Sequence, residues 1–191
     1  LLRKKGIAKA SKRMERIAAE GLVCIYEQDN KFSMIEINSE TDFVAKNNQF
    51  VNFAQEVSQL ALIKSGKMED ILNSKMTNKK NVKDNLVDLI SKIGEKITLR
   101  RSTFIGKDKS INFSYTHSSL KKNIGKLGVL LSLDTTKSKN EILELGKQLS
   151  MHIAAFSPLA IDKDGINPSV LKKEKEKLIK GWCPDVHKVA A

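Results

Sequence analysis

Side chains that could carry out covalent chemistry are few in this sequence and widely separated. Its histidines are His117, His152 and His187, and no catalytic constellation emerges from their positions. The nearest approach to a metal-ligand spacing is Cys183 to His187, but a zinc site needs a second pair, and none accompanies it. Glycine-rich nucleotide loops of the GxxxxGKS or GxGxxG type do not occur. We therefore expect no catalytic residue, no metal site, no cofactor and no enzyme activity.

The segment IEINSETDFVAKNNQF, residues 35–50, departs from plain core patterning. Its carboxylates Glu36, Glu40 and Asp42 do not have a spacing that indicates an acid–base pair. Asp42 is placed to cap a helix that begins about there, because its carboxylate can accept a hydrogen bond from an amide one turn in. The sequence leaves Phe43 open. An unbroken helix would bury it, whereas in a first turn it can equally protrude as an apolar anchor.

A second departure is LGKQLSMHIAAF, residues 145–156. Helical spacing predicts one buried face, made by Ile142, Leu145, Leu149, Ile153 and Phe156. Met151 then points away from that face, with His152 flanking the face and Ala155 close by. Such a methionine is either a trivially exposed residue, which is the commoner case, or an adaptable contact for a protein partner.

The elements around the first segment are a hairpin followed by helices. A basic helix is expected over about residues 3–19, and two β-prone runs follow at 22–27 and 32–37. Asp29 and Asn30 sit between these runs and suit a tight turn. The pattern then predicts a long amphipathic helix through Phe50 and Val57, a polar connection, a helix stopped by Gly94, and a strand from Ile97.

The second half repeats the order of strand, strand and helix. Alternating apolar residues from Ile111 predict a half-buried strand, LGVLLSL from Leu127 predicts a buried one, and the helix containing Met151 follows. We predict an α+β fold of two related subdomains, each a small antiparallel sheet packed with helices. The predicted boundaries are 1–21 for a basic helical linker, 22–106 and 107–168 for the core subdomains, the second incomplete, and 169–191 for a charged helix and a frayed tail.

Charge is the strongest compositional signal. The 191 residues carry a formal net charge of +12, much of it near the two ends. This surplus invites a nucleic-acid interpretation, but no basic segment has the interleaved aromatic residues that stack bases. Solvated helical faces are the plainer explanation. No apolar run reaches the roughly 20 residues that would span a membrane, and two cysteines far apart fit a reducing compartment.

The run EINSETDFVAKNNQF, residues 36–50, closely resembles the signature of the elongation factor Ts family, the nucleotide exchange factors of elongation factor Tu. Agreement continues in LRKKGIAKASKRMERIAAEGLV, KIGEKITLRR, IGKLGVLLSL and LGKQLSMHIAAFSP, so the resemblance covers about residues 2–180 in the family's order. The resemblance implies two α+β subdomains. It also implies that the chain lacks the family's N-terminal helical module and most of its coiled-coil insertion, so we expect a chain shortened at both ends.

The resemblance implies that Thr41, Asp42, Phe43 and Val44 press on the G domain of elongation factor Tu. There the phenylalanine wedges in and disturbs the bound magnesium, so that GDP leaves. It places Met151, His152 and Ala155 near the same partner. The implied location is a bacterial cytoplasm, with an organelle that keeps bacterial-type translation as the alternative. A homodimer is a further expectation, direct nucleic-acid binding is not expected, and the rival function is a basic RNA-binding or ribosome-associated module.

Overall fold

The structure, a computed structural model, describes residues 13, 15–106 and 109–182. Its contacts divide the chain into two compact units, Leu1–Ala155 and Phe156–Ala191. The described residues form antiparallel sheets of four and two strands packed with helices, which confirms the predicted α+β class. The finer boundaries predicted at 21, 106 and 168 stay predictions.

A four-stranded antiparallel sheet lies in the first unit. Its strands are β1 (Glu20–Gln28), β2 (Lys31–Ser39), β3 (Ile97–Ile105) and the short β5 (Ile124–Gly125), and their order across the sheet is β3-β2-β1-β5. The predicted hairpin is present, and its turn residues Asp29 and Asn30 have φ angles of 50° and 58°. Two successive residues with positive φ give a turn whose twist matches that of the paired strands.

Four helices lie between the hairpin and β3 along the chain. They are α1 (Asp42–Ala45), α2 (Asn48–Ile63), α3 (Met68–Asn73) and α4 (Val82–Ile93). The core of the unit forms where β1 and β2 meet α2, around the fully buried side chains of Ile35, Ile37, Phe50 and Val57. Gly94 ends α4 in the left-handed conformation, with φ of 92°, as predicted.

The second sheet pairs β4 (Ser110–His117) with β6 (Leu127–Asp134), and α5 (Leu143–Phe156) follows them. This is the predicted order of strand, strand and helix. The prediction that LGVLLSL is a buried strand is wrong, since only Val129 of this run is buried. Within the described residues β6 pairs with β4 alone, so much of its surface stays accessible.

Two asparagines join the hairpin turn of the first sheet to the start of the second. The backbone nitrogen of Asn112 donates to Oδ1 of Asn30 at 3.0 Å, and its side-chain Nδ2 donates to the Asn30 carbonyl at 2.6 Å. Asn30 Nδ2 donates in turn to the Ser110 carbonyl at 2.7 Å. Because Asn112 is fully buried, these bonds satisfy polar groups that would otherwise be costly to bury.

Two predicted helical features are corrected. The basic helix predicted over about 3–19 falls mostly outside the described residues, and residues 15–19 are not helical. There the Arg16 carbonyl accepts a hydrogen bond from Lys96 Nζ at 2.7 Å, which ties the chain beside the sheet before β1 begins. On α5, Leu145 and Phe156 are exposed and not buried as predicted, because the helix packs through Gly146 and Ser150 instead.

The second unit is described from Phe156 to Trp182. It holds a short 3₁₀ turn (Lys163–Gly165) and α6 (Pro168–Trp182), which confirms the predicted charged helix. Oδ1 of Asn167 accepts a hydrogen bond from the Ser169 nitrogen at 2.9 Å and so caps α6. The tail from Cys183 onward, predicted to be frayed, lies outside the described residues.

Candidate functional site

The junction between β2 and α1 holds Thr41, Asp42, Phe43 and Val44, which we call the Phe43 surface. Val44 is buried, whereas Phe43 is 78% exposed. Successive helical residues point about 100° apart, so anchoring Val44 in the core turns Phe43 toward solvent. Of the two arrangements that the sequence left open for Phe43, the structure has the protruding one.

A break between α1 and α2 explains why Phe43 is not carried into the core. The first helix ends at Ala45, and α2 begins at Asn48 with Asn47 as its N-cap. Oδ1 of Asn47 accepts a hydrogen bond from the Gln49 nitrogen at 2.8 Å. Because the helix restarts there, Phe43 does not share the buried face of α2 on which Phe50 lies.

Asp42 does not cap the helix, which corrects the prediction made for it. Thr41 is the N-cap residue, and Asp42 is the first residue of α1. Its carboxylate instead accepts a hydrogen bond from Lys46 Nζ at 2.9 Å, one turn along. This hydrogen bond, with the positive charge of Lys46, lowers the pKa of Asp42 below its ordinary value. The aspartate thus presents a negative charge beside Phe43.

Glu95, in the turn after α4, holds Thr41 through two hydrogen bonds. The Thr41 nitrogen donates to Oε2 of Glu95 at 3.0 Å, and the Thr41 hydroxyl donates to Oε1 at 2.7 Å. The Thr41 carbonyl accepts a further bond from the Ser39 hydroxyl at 2.9 Å. All polar groups of Thr41 are therefore engaged inside the protein.

The neighbouring residue Glu40 adds a further hydrogen bond between the β2–α1 junction and the turn after α4. In this bond the carboxylate belongs to the junction and the donor belongs to the turn. Its Oε1 accepts a hydrogen bond from the Lys96 nitrogen at 2.6 Å. Arg16 lies 3.4 Å from the Glu40 carboxylate and forms an exposed ion pair with it. Thr41 is thus bonded to Glu95, and Glu40 is bonded to Lys96. These contacts hold the β2–α1 junction against the turn between α4 and β3.

A hollow of about 500 Å³ lies beside Phe43. Its lining comprises Phe43, Val44, Asn47, Gln49, Lys92 and Ile93. Aromatic and aliphatic surface is therefore combined with one positive charge, from Lys92 of α4. This arrangement suits contact with a protein surface that carries apolar side chains and an acidic group.

Another hollow, of about 650 Å³, includes none of the four residues of the Phe43 surface. Glu36, in its lining, forms ion pairs with Arg100 and Arg101. Partial burial acts to raise the pKa of Glu36, but the hydrogen bonds from the two arginines outweigh it and lower this pKa overall. The carboxylate of Glu36 is thus paired with two cations, and both of its oxygens are engaged inside the protein.

A second candidate surface lies on α5. Met151, His152 and Ala155 are exposed there, as the sequence predicted for Met151, and we call them the α5 surface. The helix is seated on the second sheet through Gly146, where an added Cβ would lie 2.4 Å from Cζ of the Phe113 ring. Only a glycine permits this approach, which fixes the side of α5 that stays exposed.

The described residues contain no cluster of side chains that could bind a metal ion. Among residues 13, 15–106 and 109–182, no three His, Cys, Asp or Glu side chains are grouped so that they could hold an ion. Cys183 and His187 lie outside these residues. No helix in the described chain is long and apolar enough to cross a membrane.

Glu95 and Lys92 were not singled out by the sequence analysis as members of a site. Both belong to KIGEKITLRR, one of the runs that carry the family resemblance. The sequence did contain a signal for Glu95. This acidic residue follows Gly94, which ends α4, and it precedes β3, so it must lie close to the strand that pairs with β3. That strand is β2, whose end leads to Thr41.

Comparison with known proteins gives consistent matches. The family model described as Elongation factor TS matches residues 40–183. Elongation factor Ts of Methylorubrum populi is 41% identical over 91% of this chain and 57% of its own length, and that of Nitrobacter hamburgensis is 41% identical over 92% and 57%. The protein of that name from Maricaulis maris is 38% identical over 92% and 57%. This chain therefore spans a little over half the length of these curated relatives, and it belongs to the elongation factor Ts family.

Proposed function

We propose that this chain acts in translation elongation as a nucleotide exchange factor. It binds elongation factor Tu carrying GDP and promotes release of the GDP, without covalent chemistry of its own. Phe43 wedges into the G domain of the partner and disturbs the bound magnesium, while Thr41, Asp42 and Val44 set its position and surroundings. Family membership supports the class of function, and the geometry of the Phe43 surface supports the residue roles.

The observation that carries the proposal is the exposure of Phe43 on a fastened backbone. A phenylalanine that is 78% exposed has apolar surface whose burial by a partner is favourable. Burial of about 150 Å² of its surface in a partner contributes about 4 kcal/mol at about 25 cal/mol per Å². Because Glu95 already holds Thr41, little additional ordering of the loop opposes that gain.

Exchange then follows from linkage between two binding events. The chain binds the nucleotide-free partner more strongly than the GDP-loaded one, and the same coupling factor weakens GDP on the partner. The negative charge of Asp42 and the positive charge of Lys92 flank Phe43 and orient its entry. The net charge of +12 speeds the encounter with an acidic surface of the partner.

The test is the release of a fluorescent GDP from elongation factor Tu, with and without this chain. Acceleration is expected, and Phe43→Ala is expected to lower the second-order rate of release by roughly a hundredfold, equivalent to about 3 kcal/mol. Ile63→Ala is the matched control, because Ile63 is also an exposed apolar residue, 69% exposed at the end of α2. Equal rates for the unaltered chain and Phe43→Ala would refute the wedge.

The α5 surface is the second contact in this proposal. Met151 supplies an adaptable apolar side chain, and His152 and Ala155 lie beside it on the exposed side of α5. The bacterial sources of the relatives support a place in a bacterial cytoplasm, with a bacterial-type organelle as the alternative. Homodimer formation stays a prediction.

A basic RNA-binding or ribosome-associated module is the rival function, and the net charge of +12 is the observation that favours it. Binding through phosphate contacts falls steeply with salt, because each neutralised phosphate releases counterions. The rival therefore predicts tight RNA binding at low salt with a strongly negative salt slope. Exchange activity without such binding would exclude it.

A further inference from the structure

Glu95 holds Thr41, the N-cap residue of the short helix that carries Phe43. We propose that Glu95 is a positioning residue, which fixes the backbone from which Phe43 projects and so keeps the wedge ready for the partner. This inference rests on the proposed function, since Phe43 must act on elongation factor Tu for its position to matter. Glu95 lies outside the Phe43 surface and acts on Phe43 through its contact with Thr41.

The first support is that Thr41 departs from the usual behaviour of an N-cap residue. A threonine at this position ordinarily accepts a hydrogen bond from an amide in the first helical turn. Thr41 makes no such cap, and its hydroxyl donates to Glu95 instead. Thr41 therefore does not stabilise the start of α1 by capping it. Its hydroxyl instead forms a contact between residues that are 54 positions apart in the sequence.

A second support is the length of α1. It has four residues, and a single helical turn is not stable by itself. Its position must come from its attachments, which are the buried Val44 and Ala45 within the helix and the Glu95 contact at its start. Phe43 lies between these two attachments, so loss of either one lets its side chain sample other directions.

A third support is the rigidity of the element that carries Glu95. Gly94 ends α4 with a backbone hydrogen bond of 3.0 Å to Ile90, and Ile97 starts β3 fully buried. Between them, the Lys96 nitrogen is bonded to Glu40. Glu95 therefore projects from a short turn that is fixed on both sides, as a positioning group requires.

Removal of the carboxylate is expected to leave Phe43 correctly placed in only a fraction of molecules. The apparent affinity for the partner is multiplied by that fraction, so a smaller correctly placed fraction gives a larger loss. Hydrogen bonds to a charged group support an estimate of about tenfold for Glu95→Ala. Glu95→Gln keeps a neutral acceptor and should show about a threefold loss, so the conservative variant partly rescues the function.

The first experiment uses this chain alone and measures hydrogen exchange of the Thr41 amide. We expect exchange to be about tenfold faster in Glu95→Ala and about threefold faster in Glu95→Gln. A matched control is present in the chain, because Glu56 likewise accepts hydrogen bonds from both the nitrogen and the hydroxyl of Thr77. Glu56→Ala should leave the Thr41 amide unchanged, and an unchanged Thr41 amide in Glu95→Ala would overturn the inference.

The second experiment measures GDP release from elongation factor Tu against the concentration of this chain. Glu95→Ala should raise the half-saturating concentration about tenfold, Glu56→Ala should not change it, and in a Phe43→Ala background Glu95→Ala should add less than about twofold. A full Glu95 effect in that background would mean that Glu95 does not act through Phe43. Release that is not accelerated by the unaltered chain overturns the proposed function as well, whereas normal acceleration with no Glu95 effect overturns this inference alone.

Discussion

The Phe43 surface and the α5 surface expose apolar side chains by different means. Phe43 projects from a four-residue helix that is held by a polar contact from Glu95 and by buried Val44. Met151 lies within a regular helix of 14 residues that packs on the second sheet through Gly146. The first surface thus depends on hydrogen bonds between distant segments, and the second depends on close packing. Each arrangement can be disturbed without touching the other.

Gly146→Val should have the largest effect on stability. The new side chain would begin 2.4 Å from the Phe113 ring, which is itself buried, so the helix or the ring must move. Overpacking of this kind costs about 1–3 kcal/mol. We expect chemical denaturation to show that the free energy of unfolding falls by about 3 kcal/mol. Lys147→Val, at the exposed neighbouring position, is the control and should change stability by less than about 0.5 kcal/mol.

The same variant sharpens the comparison between the two surfaces. Under native conditions Gly146→Val should speed hydrogen exchange of α5 amides and leave the Thr41 amide protected, because Thr41 is held by Glu95 and not by α5. Equal loss of protection at both places would show that the two surfaces are coupled. Unchanged stability would mean that the contact of Gly146 with Phe113 does not seat the helix.

Met151→Ala should have a smaller effect, confined to the partner. Met151 is 44% exposed, so its loss should change stability by less than about 0.5 kcal/mol. If the α5 surface contacts elongation factor Tu, the half-saturating concentration for GDP release should rise about fivefold, equivalent to about 1 kcal/mol. Leu145→Ala is the control, since Leu145 is 52% exposed on another side of the same helix. Equal effects of the two variants would contradict the assignment of Met151.

Features set by local sequence were predictable in both regions. The hairpin follows from Asp29 and Asn30, which tolerate the positive φ angles of its turn, and the end of α4 follows from Gly94. The outward direction of Met151 follows from helical periodicity alone. In each case the information lies within a few residues of the feature.

Features that depend on distant packing were not predictable. Periodicity placed Leu145 on the buried face of α5, but the contact of Gly146 with Phe113 rotates that face toward small residues. Asp42 has the right chemistry for an N-cap, but Thr41 takes that position while its hydroxyl is drawn to Glu95, 54 residues away. The fate of Phe43 depends on the break at Asn47, and a continuous helical pattern conceals such a break.

The smallest expected effect concerns the charge beside Phe43. Because the hydrogen bond and charge of Lys46 lower the folded-state pKa of Asp42, this pair stabilises the fold at pH values above the unfolded pKa of about 3.9. The contribution is lost as the pH falls from that value through the lower folded one, and it is constant near neutrality. An NMR titration should place the Asp42 midpoint lower in the unaltered chain than in Lys46→Met, with the difference reduced by salt because the pair is exposed. Identical midpoints would show that Lys46 does not hold the aspartate, and the Phe43 surface would then depend on Glu95 and the buried Val44 alone.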